Sequence, residues 1–385
     1  MITPAIVVVG YNRPESIKRL LSSICNAVIP HQNVTLIISI DLSEKSEEIK
    51  DIADRCHWPY GKKKIRIFSE RQGLRNHIIS CGNLSEEYGA VIILEDDLVV
   101  AKGFYQYVFE VMNYYADADW MAGVALYRHH WTEFAHCEFE PEHNDSDVYL
   151  AQYGVTWGQA WSWNQWKKFK IWYLQHVGKL EYKDDIIPRR VTNWGDNSWG
   201  KYFAHYLVDQ NQYYVVPFES MSTNYSDIGE HRNNASVTYQ VPLSNKISNF
   251  NMTNYQNCIV YDSFFERKYL NKYLPEGLSE EGVAIDIYGL KALGKSRYIL
   301  STSCLGYKVI KSYGLIFRPH EMNIIHDIPG DDIYLYDTKQ KEKVPKNRYI
   351  MKYKKISYYI KGPYVIDELF HAIVTLILMI YNKLK

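Results

Sequence analysis

The sequence predicts an α/β protein built on a doubly wound, mostly parallel sheet. Short apolar runs alternate with helical patterns over the first hundred residues, which implies parallel strands with right-handed crossovers. Polar groups follow three of the runs, at residues 12–13, at Asp41 and at residues 95–97. Ligands of such sheets sit beyond the carboxyl ends of the strands, so these residues are expected to share one crevice.

The elements of this sheet follow from hydrophobic periodicity. The first helix, for example, repeats apolar residues at Ile17, Leu20, Leu21 and Ile24, as one face of a helix requires. In chain order we predict strand 5–10, helix 15–27, strand 34–40, a helix-compatible stretch at 43–54, strand 64–68, helix 74–88 and strand 91–94.

Three consecutive carboxylates, Glu95, Asp96 and Asp97, follow the fourth strand. Adjacent ionised groups repel one another and resist burial, and a divalent cation compensates for both effects. Oxygen ligands suit Mg²⁺ or Mn²⁺, and a metal held by one or two carboxylates completes its shell with water and phosphate oxygens. A nucleotide-phosphate site is therefore predicted, with a solvated acidic turn as the alternative. The chain lacks a glycine-rich loop near strand one, which argues against a Rossmann dehydrogenase or a P-loop NTPase.

The pattern is less regular between residues 104 and 240. Residues 104–115 predict an amphipathic helix, and residues 129–149 predict a solvated loop whose four histidines fit no zinc spacing. The tryptophan-rich segment 157–166 is either core or a sugar-stacking surface, with Trp161 and Trp163 facing different ways. Asp196 precedes a predicted helix at 200–209, so it is either an N-cap or a chemical group. A strand at 213–217 and a polar loop at 222–231 follow.

In order and spacing, these motifs resemble bacterial inverting glycosyltransferases of the GT-A fold, related distantly to the animal N-acetylglucosaminyltransferase that initiates complex N-glycans. The resemblance spans residues 5–235. It rests on a set of ordered motifs at residues 8–14, 73–76, 94–98 with Phe104, 157–166, 196–199 and 223–231.

The resemblance implies a role for each matching residue. It makes Asp97 the ligand of Mn²⁺ or Mg²⁺, with His231 as a further candidate ligand, and it places Asp96 near the ribose and Glu95 near the donor sugar. Asp196 becomes the base that takes a proton from the acceptor hydroxyl, because inversion needs one base and a Lewis acid for the leaving group. The remaining assignments are nucleotide binding by Arg13, Asp41 and Arg75, and acceptor or sugar stacking by Trp161 and Trp163.

Composition limits the partners and the compartment. The 44 basic and 44 acidic residues give a net charge of zero, so nothing favours nucleic-acid binding. The six cysteines contain no CxxC pair, and residues 1–4 lack the features of a signal peptide, so we expect a reduced, cytoplasmic setting.

Three regions are predicted: residues 1–240 as the nucleotide-sugar and acceptor domain, 241–338 as an accessory region of unknown role, and 339–385 as a tail. Nine basic residues and one acid lie between 339 and 361, and the stretch 369–381 is almost wholly apolar. Thirteen helical residues span only about 20 Å, short of the roughly 30 Å bilayer core. An amphipathic helix lying on the membrane surface is predicted, with a helix packed on the protein as the alternative.

Together these features predict a metal-dependent inverting glycosyltransferase on the inner face of the bacterial cell membrane. The predicted donor is a nucleotide-sugar, with UDP-sugars favoured. The predicted acceptor is a lipid-linked oligosaccharide in surface polysaccharide (capsule or O-antigen) biosynthesis. The alternatives are a nucleotidyltransferase, which usually begins with a glycine-rich basic signature that this chain lacks, and a non-catalytic carbohydrate-binding protein.

Overall fold

The structure is a computed structural model. It describes the chain except for residue 155, residues 182–185, 228–236, 279–281, 294–295, 344–347 and 360–364, and residue 385.

The first hundred residues form the predicted alternation of strands and helices. Helix formation after the first strand follows from Pro14 at the first helical position, Glu15 in the first turn and a buried apolar face. The predicted helix 74–88 is two helices, and the Ser85 hydroxyl bonds the Gly82 carbonyl at the break, 2.6 Å away. The elements are β1 (Ala5–Gly10), α1 (Pro14–Cys25), β2 (Leu36–Ile40), α2 (Ser46–Arg55), β3 (Lys63–Ile67), α3 (Gly73–Asn83), α4 (Ser85–Tyr88), β4 (Ala90–Glu95), β5 (Leu98–Val100) and α5 (Phe104–Tyr114).

The middle of the chain completes the sheet. Its elements are β6 (Met121–Ala125), β7 (Trp131–Thr132), β8 (Cys137–Glu138), β9 (Val148–Ala151), β10 (Gln159–Ser162), α6 (Trp163–His176), α7 (Arg189–Thr192), α8 (Trp199–Asp209), β11 (Tyr213–Pro217), β12 (Ser222–Asn224), the 3-10 turn Tyr255–Asn257 and β13 (Val260–Tyr261).

The prediction of a solvated loop at 129–149 is wrong. Strands β7 and β8 pair as a hairpin, and β9 begins inside the region. His129 is buried among the rings of Tyr127, Tyr153, Trp157 and Phe265, because this part of the chain folds over the apolar face of the sheet. Burial lowers the pKa of His129 to about 3, so its imidazole is neutral.

Nine strands form the large sheet, in the order β13-β9-β11-β6-β10-β4-β1-β2-β3. Strands β1, β2, β3, β4, β6 and β11 share one direction, whereas β10, β9 and β13 run opposite to them. Both faces of the sheet are covered by buried apolar residues, as expected for a mostly parallel sheet. The predicted fold class is thereby confirmed, and the carboxyl ends of six strands meet at one edge.

A smaller sheet follows, with its own apolar core, in the order β14-β15-β17-β16. Strand β13 lies beyond residue 240 yet pairs with β9 of the large sheet, and β17 extends past residue 338. The elements of this part are the 3-10 helix Leu270–Tyr273, β14 (Val283–Asp286), β15 (Tyr298–Ser301), β16 (Tyr307–Tyr313), α9 (Met322–Ile325), β17 (Ile333–Lys341), α10 (Arg348–Tyr359) and α11 (Val365–Leu384).

Candidate active site

The acidic end of β4 meets the end of β1. Arg13, three residues beyond β1, contacts the carboxylate of Asp96 and lies 3.4 Å from that of Asp97. Pairing of β4 with β1 runs to Glu95, opposite Val9, so the two strands deliver these groups together. The structure therefore brings four predicted site residues, Arg13, Glu95, Asp96 and Asp97, into one cluster.

The cluster carries more negative charge than its arginine neutralises. Burial, followed by the charges of Asp97 and Asp96, raises the pKa of Glu95 well above its ordinary value. Burial also raises the pKa of Asp96 to about 6, although the Arg13 guanidinium opposes the shift. One carboxylate oxygen of Glu95 (Oε1) and one of Asp97 (Oδ1) are buried with no hydrogen-bond partner among the described residues. Such oxygens are costly unless a cation or a donor reaches them.

Carboxylate oxygens of this kind suit a hard divalent cation or a hydrogen-bond donor of a ligand. The part of the chain that the structure describes holds no group of three or more His, Cys, Asp and Glu side chains able to bind a metal ion. A site of this kind suits Mg²⁺ or Mn²⁺, which takes one or two carboxylates from the protein and completes its shell with phosphate oxygens and water. The donor set thus matches a metal that arrives with a phosphorylated ligand.

Strand β12 brings the polar loop after it to the same place. It pairs antiparallel with β5, which directly follows the acidic residues, and the Tyr225 amide donates to the Asp97 carbonyl oxygen at 2.8 Å. Two residues on, Asp227 contacts Arg19 of α1 and accepts from the Ser16 hydroxyl at 2.5 Å. His231, the further candidate metal ligand predicted in this loop, lies outside the described residues.

Asp41 lies at the end of β2, as predicted, and is buried. Its carboxylate oxygens accept hydrogen bonds from the amides of Gln72 (2.7 Å) and Gly73 (2.9 Å). Gly73 has a positive φ of 71°, a conformation that glycine adopts without strain. Asp41 therefore fixes the start of α3, and a nucleotide-binding role for it stays a prediction.

Asp196 contacts α3, the helix whose start is fixed by Asp41. Arg75 on that helix donates to the Asp196 carbonyl oxygen at 2.5 Å, and Lys201 pairs with its carboxylate at 3.1 Å. The carboxylate is 85% exposed, open to an incoming ligand. Ser198, not Asp196, caps α8, because its hydroxyl accepts from the Lys201 amide. The N-cap alternative for Asp196 is wrong, and its role as a base stays a prediction.

Trp161 and Trp163, the residues predicted to stack on a sugar, do not lie at the carboxyl edge of the sheet. Trp161 is fully buried and donates to the Tyr214 hydroxyl, so its assignment as a stacking platform is wrong. Trp163 follows β10, and its amide donates to the carbonyl of Gly89, which precedes β4. Because β10 runs antiparallel to β4, Trp163 sits at the end of β4 opposite to Glu95.

Trp157, in the same segment, lies at the carboxyl edge of the sheet, with its ring against those of Tyr127 and Tyr239. Gln159 pairs with Ile93, so the residues before it run along β4 towards Glu95, at the carboxyl edge of the sheet. Trp157 is half-buried, and its carbonyl accepts from the Ser222 hydroxyl of β12 at 2.6 Å. Sequence reasoning missed Trp157 because four tryptophans crowd one segment. The neighbouring Gly158, with φ of 93°, marks where the strand turns into the site.

A cluster of acidic residues at the carboxyl edge of a mostly parallel sheet is the arrangement of the GT-A glycosyltransferase class. Residues 5–165 match the family model of Glycosyl transferase family 2, which covers less than half of the chain. This match confirms the predicted resemblance to glycosyltransferases over that part of the chain. No curated protein matches the chain.

Among solved structures, the chain is similar to the mannosyltransferase PcManGT from Pyrobaculum calidifontis, in complex with GDP-Man and Mn²⁺. The identity is 11%, the TM-score is 0.36, and 56% of this chain and 55% of that chain are covered. It is also similar to residues 1–349 of S. aureus TarS in complex with UDP, at 10% identity and a TM-score of 0.35, covering 57% of this chain and 59% of that one. The chain therefore spans between half and two thirds of the length of these structures.

Proposed function

We propose that this protein is a metal-dependent inverting glycosyltransferase that takes a sugar from a nucleotide-sugar donor. The observation that carries the proposal concerns one buried carboxylate oxygen each of Glu95 and Asp97, beside Arg13: neither has a hydrogen-bond partner among the described residues. An excess of acidic charge at this position is destabilising unless a cation accompanies the ligand. Mn²⁺ or Mg²⁺, bound together with a nucleoside diphosphate, supplies this cation.

The donor is bound by residues from three strand ends. Asp97 holds the metal, Asp96 faces the ribose, and Glu95 faces the donor sugar. Arg13 contacts Asp96 and Asp97, so it fixes their carboxylates and offers the remaining guanidinium donors to phosphate. Asp41 and Arg75 complete the nucleotide site, with α3 as the element that connects them.

Asp196 acts as the general base. Its exposed carboxylate accepts the proton of the acceptor hydroxyl while that oxygen attacks the anomeric carbon, and the ion pair with Lys201 orients the carboxylate. When bound, the metal stabilises the negative charge on the departing diphosphate. Trp157 takes the stacking role predicted for Trp161 and Trp163, since a half-buried indole at the carboxyl edge can pack against a sugar face.

The acceptor is a saccharide linked to lipid, and α11 keeps the protein at the membrane surface. Its apolar side chains are exposed, among them Leu369, Phe370, Leu376 and Ile377. No helix among the described residues is long and apolar enough to cross a membrane. Burial of this apolar face at headgroup depth, with the basic residues of 339–361 on the anionic surface, accounts for both features. The proposed reaction is a step of surface-polysaccharide assembly on the cytoplasmic leaflet.

The test is metal-dependent binding and turnover of nucleotide sugars. Thermal shift with UDP- and GDP-sugars should show stabilisation only when Mn²⁺ or Mg²⁺ is present. Slow donor hydrolysis with the same metal requirement would distinguish an enzyme from a non-catalytic carbohydrate-binding protein. Release of diphosphate from a nucleoside triphosphate and a sugar phosphate would instead indicate a nucleotidyltransferase. Stabilisation by free sugars, with none by nucleotides, would contradict the proposal.

A further inference from the structure

An exposed apolar tip follows β16 in the small sheet. Ile316 and Phe317 stand next to each other with 77% and 43% of their surface exposed, whereas Leu315 before them is buried in the core. Two adjacent large apolar residues in water are unfavourable, and patches of this kind usually mark an interaction surface.

The tip is held rigidly in this position. Asn323, which is fully buried, accepts from the amides of Ile316 (3.0 Å) and Phe317 (2.9 Å). Its amide group also donates to the Phe317 carbonyl at 2.7 Å. The backbone of both residues is therefore fixed by a buried side chain. The Ile316 side chain faces solvent, and the partly exposed Phe317 ring lies 5.5 Å from the His326 ring, centre to centre.

Helix α10 ends against the same tip. The Tyr358 hydroxyl donates to the Phe317 carbonyl at 2.7 Å, and Arg318 contacts the Tyr358 carbonyl and lies over its ring at 5.1 Å. Lys355 donates to the Tyr288 carbonyl at 2.6 Å, which ties the same helix to the small sheet. The carboxyl end of α10 is thus attached to the Ile316–Phe317 tip.

The apolar helix α11 begins close by for covalent reasons alone. Five residues separate Tyr359 from Val365, and an extended chain covers at most about 3.6 Å per residue, so the two lie within about 20 Å. A surface that receives the start of α11 therefore lies close to the end of α10 and to the tip that α10 contacts.

The charges around the tip are compatible with an anionic surface. Two of the acids near it pair with lysines: Asp327 with Lys311 at 2.6 Å and Asp332 with Lys354 at 3.3 Å. Arg318, next to Phe317, is partly exposed and pairs with Glu138 at 3.4 Å. The basic residues of 339–361 lead into the helices that follow.

We propose that the Ile316–Phe317 tip is a second membrane-insertion element, which enters the headgroup region of an anionic bilayer beside α11. Two separate insertion points orient the protein on the membrane, whereas one helix on a short connection leaves it free to rotate. This inference rests on the proposed attachment of α11 to the membrane and extends it.

The experiment is sedimentation of the full chain with vesicles of phosphatidylglycerol and phosphatidylcholine, or of phosphatidylcholine alone. Ile316→Ser/Phe317→Ser should weaken binding to the anionic vesicles by roughly tenfold or more, because two apolar side chains no longer leave water on binding. The matched control is Ile171→Ser/Leu174→Ser on α6, which removes two residues of 51% and 66% exposure and should leave binding unchanged. Asn323 bonds only the backbone of the tip, so the fold should persist, and a melting curve verifies this.

The outcomes separate the two proposals. If the wild-type chain binds anionic vesicles and the serine variant binds equally well, the tip is not an insertion element, while attachment by α11 stands. If the wild-type chain binds neither kind of vesicle, the membrane role of both elements is wrong. Equal losses in the α6 control and the tip variant would show non-specific adsorption and would overturn the inference.

Discussion

The Tyr225 amide donates a hydrogen bond of 2.8 Å to the Asp97 carbonyl oxygen, although the two residues lie far apart in the chain. This bond and the β5–β12 pairing fix the polar loop after β12 to the backbone of the proposed metal ligand. The side chain of Tyr225 is in turn covered by Arg19, whose guanidinium lies 3.7 Å from the ring centre. Movement of the acidic strand end is therefore coupled to α1 and to this loop.

Removal of the Asp97 carboxylate should abolish metal-dependent nucleotide binding. Asp97→Asn keeps the shape of the side chain and loses the charge that faces the metal, so the thermal shift produced by UDP or GDP with Mn²⁺ should disappear. The control is Asp51→Asn on the exposed side of α2, which should keep the full shift. Undiminished manganese dependence in Asp97→Asn would remove Asp97 from the metal site.

Asp196→Asn should lower turnover by about two to four orders of magnitude, the usual contribution of a general base, with little change in donor affinity. Ser198→Ala is the informative companion, because Ser198 caps α8. It should cost about 1 kcal/mol of stability and leave most of the activity. The measurements are kcat and KM for transfer and chemical denaturation of both variants. Comparable activity of Asp196→Asn and wild type would exclude Asp196 as the base.

The two tryptophans should respond in opposite ways. Trp161→Ala creates a cavity in the core and should cost about 3–5 kcal/mol of unfolding free energy. Trp157→Ala should cost less, since the indole is half-buried, but it should raise KM for the saccharide acceptor. Denaturant titration and acceptor kinetics measure the two effects. An unchanged acceptor KM in Trp157→Ala would leave the stacking surface unassigned.

A pH dependence of stability is expected from His77, which is buried on α3 and bonds the Ser39 hydroxyl at 2.7 Å. Burial lowers the pKa of His77 from its ordinary value of 6.5 to about 4. Between these two pH values the unfolded chain therefore binds more protons than the folded one. Stability should therefore rise with pH between about 4 and 6.5 and level off above, by about 3 kcal/mol for this residue. His77→Gln should reduce the rise in melting temperature across that window, to which the buried His129 also contributes. An identical pH profile in the variant would contradict the assignment.

Deletion of residues 365–385 should move the protein from the membrane fraction to the soluble fraction. It should slow transfer to a lipid-linked acceptor and spare metal-dependent donor hydrolysis, because the proposal gives α11 no part in the chemistry. High salt should weaken attachment of the full chain, since salt screens the attraction of basic residues to anionic lipid. An aggregated or unfolded truncation product would instead mean that residues 369–381 pack on the protein.

The sheet was predictable because its signals are local. Apolar runs and their polar ends identify β1 to β4 and the edge at which Asp41 and Asp97 lie. The sequence could not show that Trp161 is buried while Trp157 lies at the carboxyl edge, because both positions depend on the antiparallel register between β10 and β4. The same holds for Asp41, whose partners Gln72 and Gly73 lie 31 and 32 residues away. The burial of His129 likewise depends on residues as distant as Phe265.

Asp41 and Arg75 impose a fixed length on the start of α3. Asp41 binds the amide of Gly73, and two residues later Arg75 holds the Asp196 carbonyl. Each residue of an α-helix adds about 100° of rotation, so one inserted residue between Gly73 and Arg75 would turn the guanidinium away from Asp196. Substitutions at Leu74 should be tolerated, whereas any insertion or deletion there would separate the proposed donor site from Asp196, the proposed base. Homologous chains that keep this chemistry should therefore vary in sequence here and not in length.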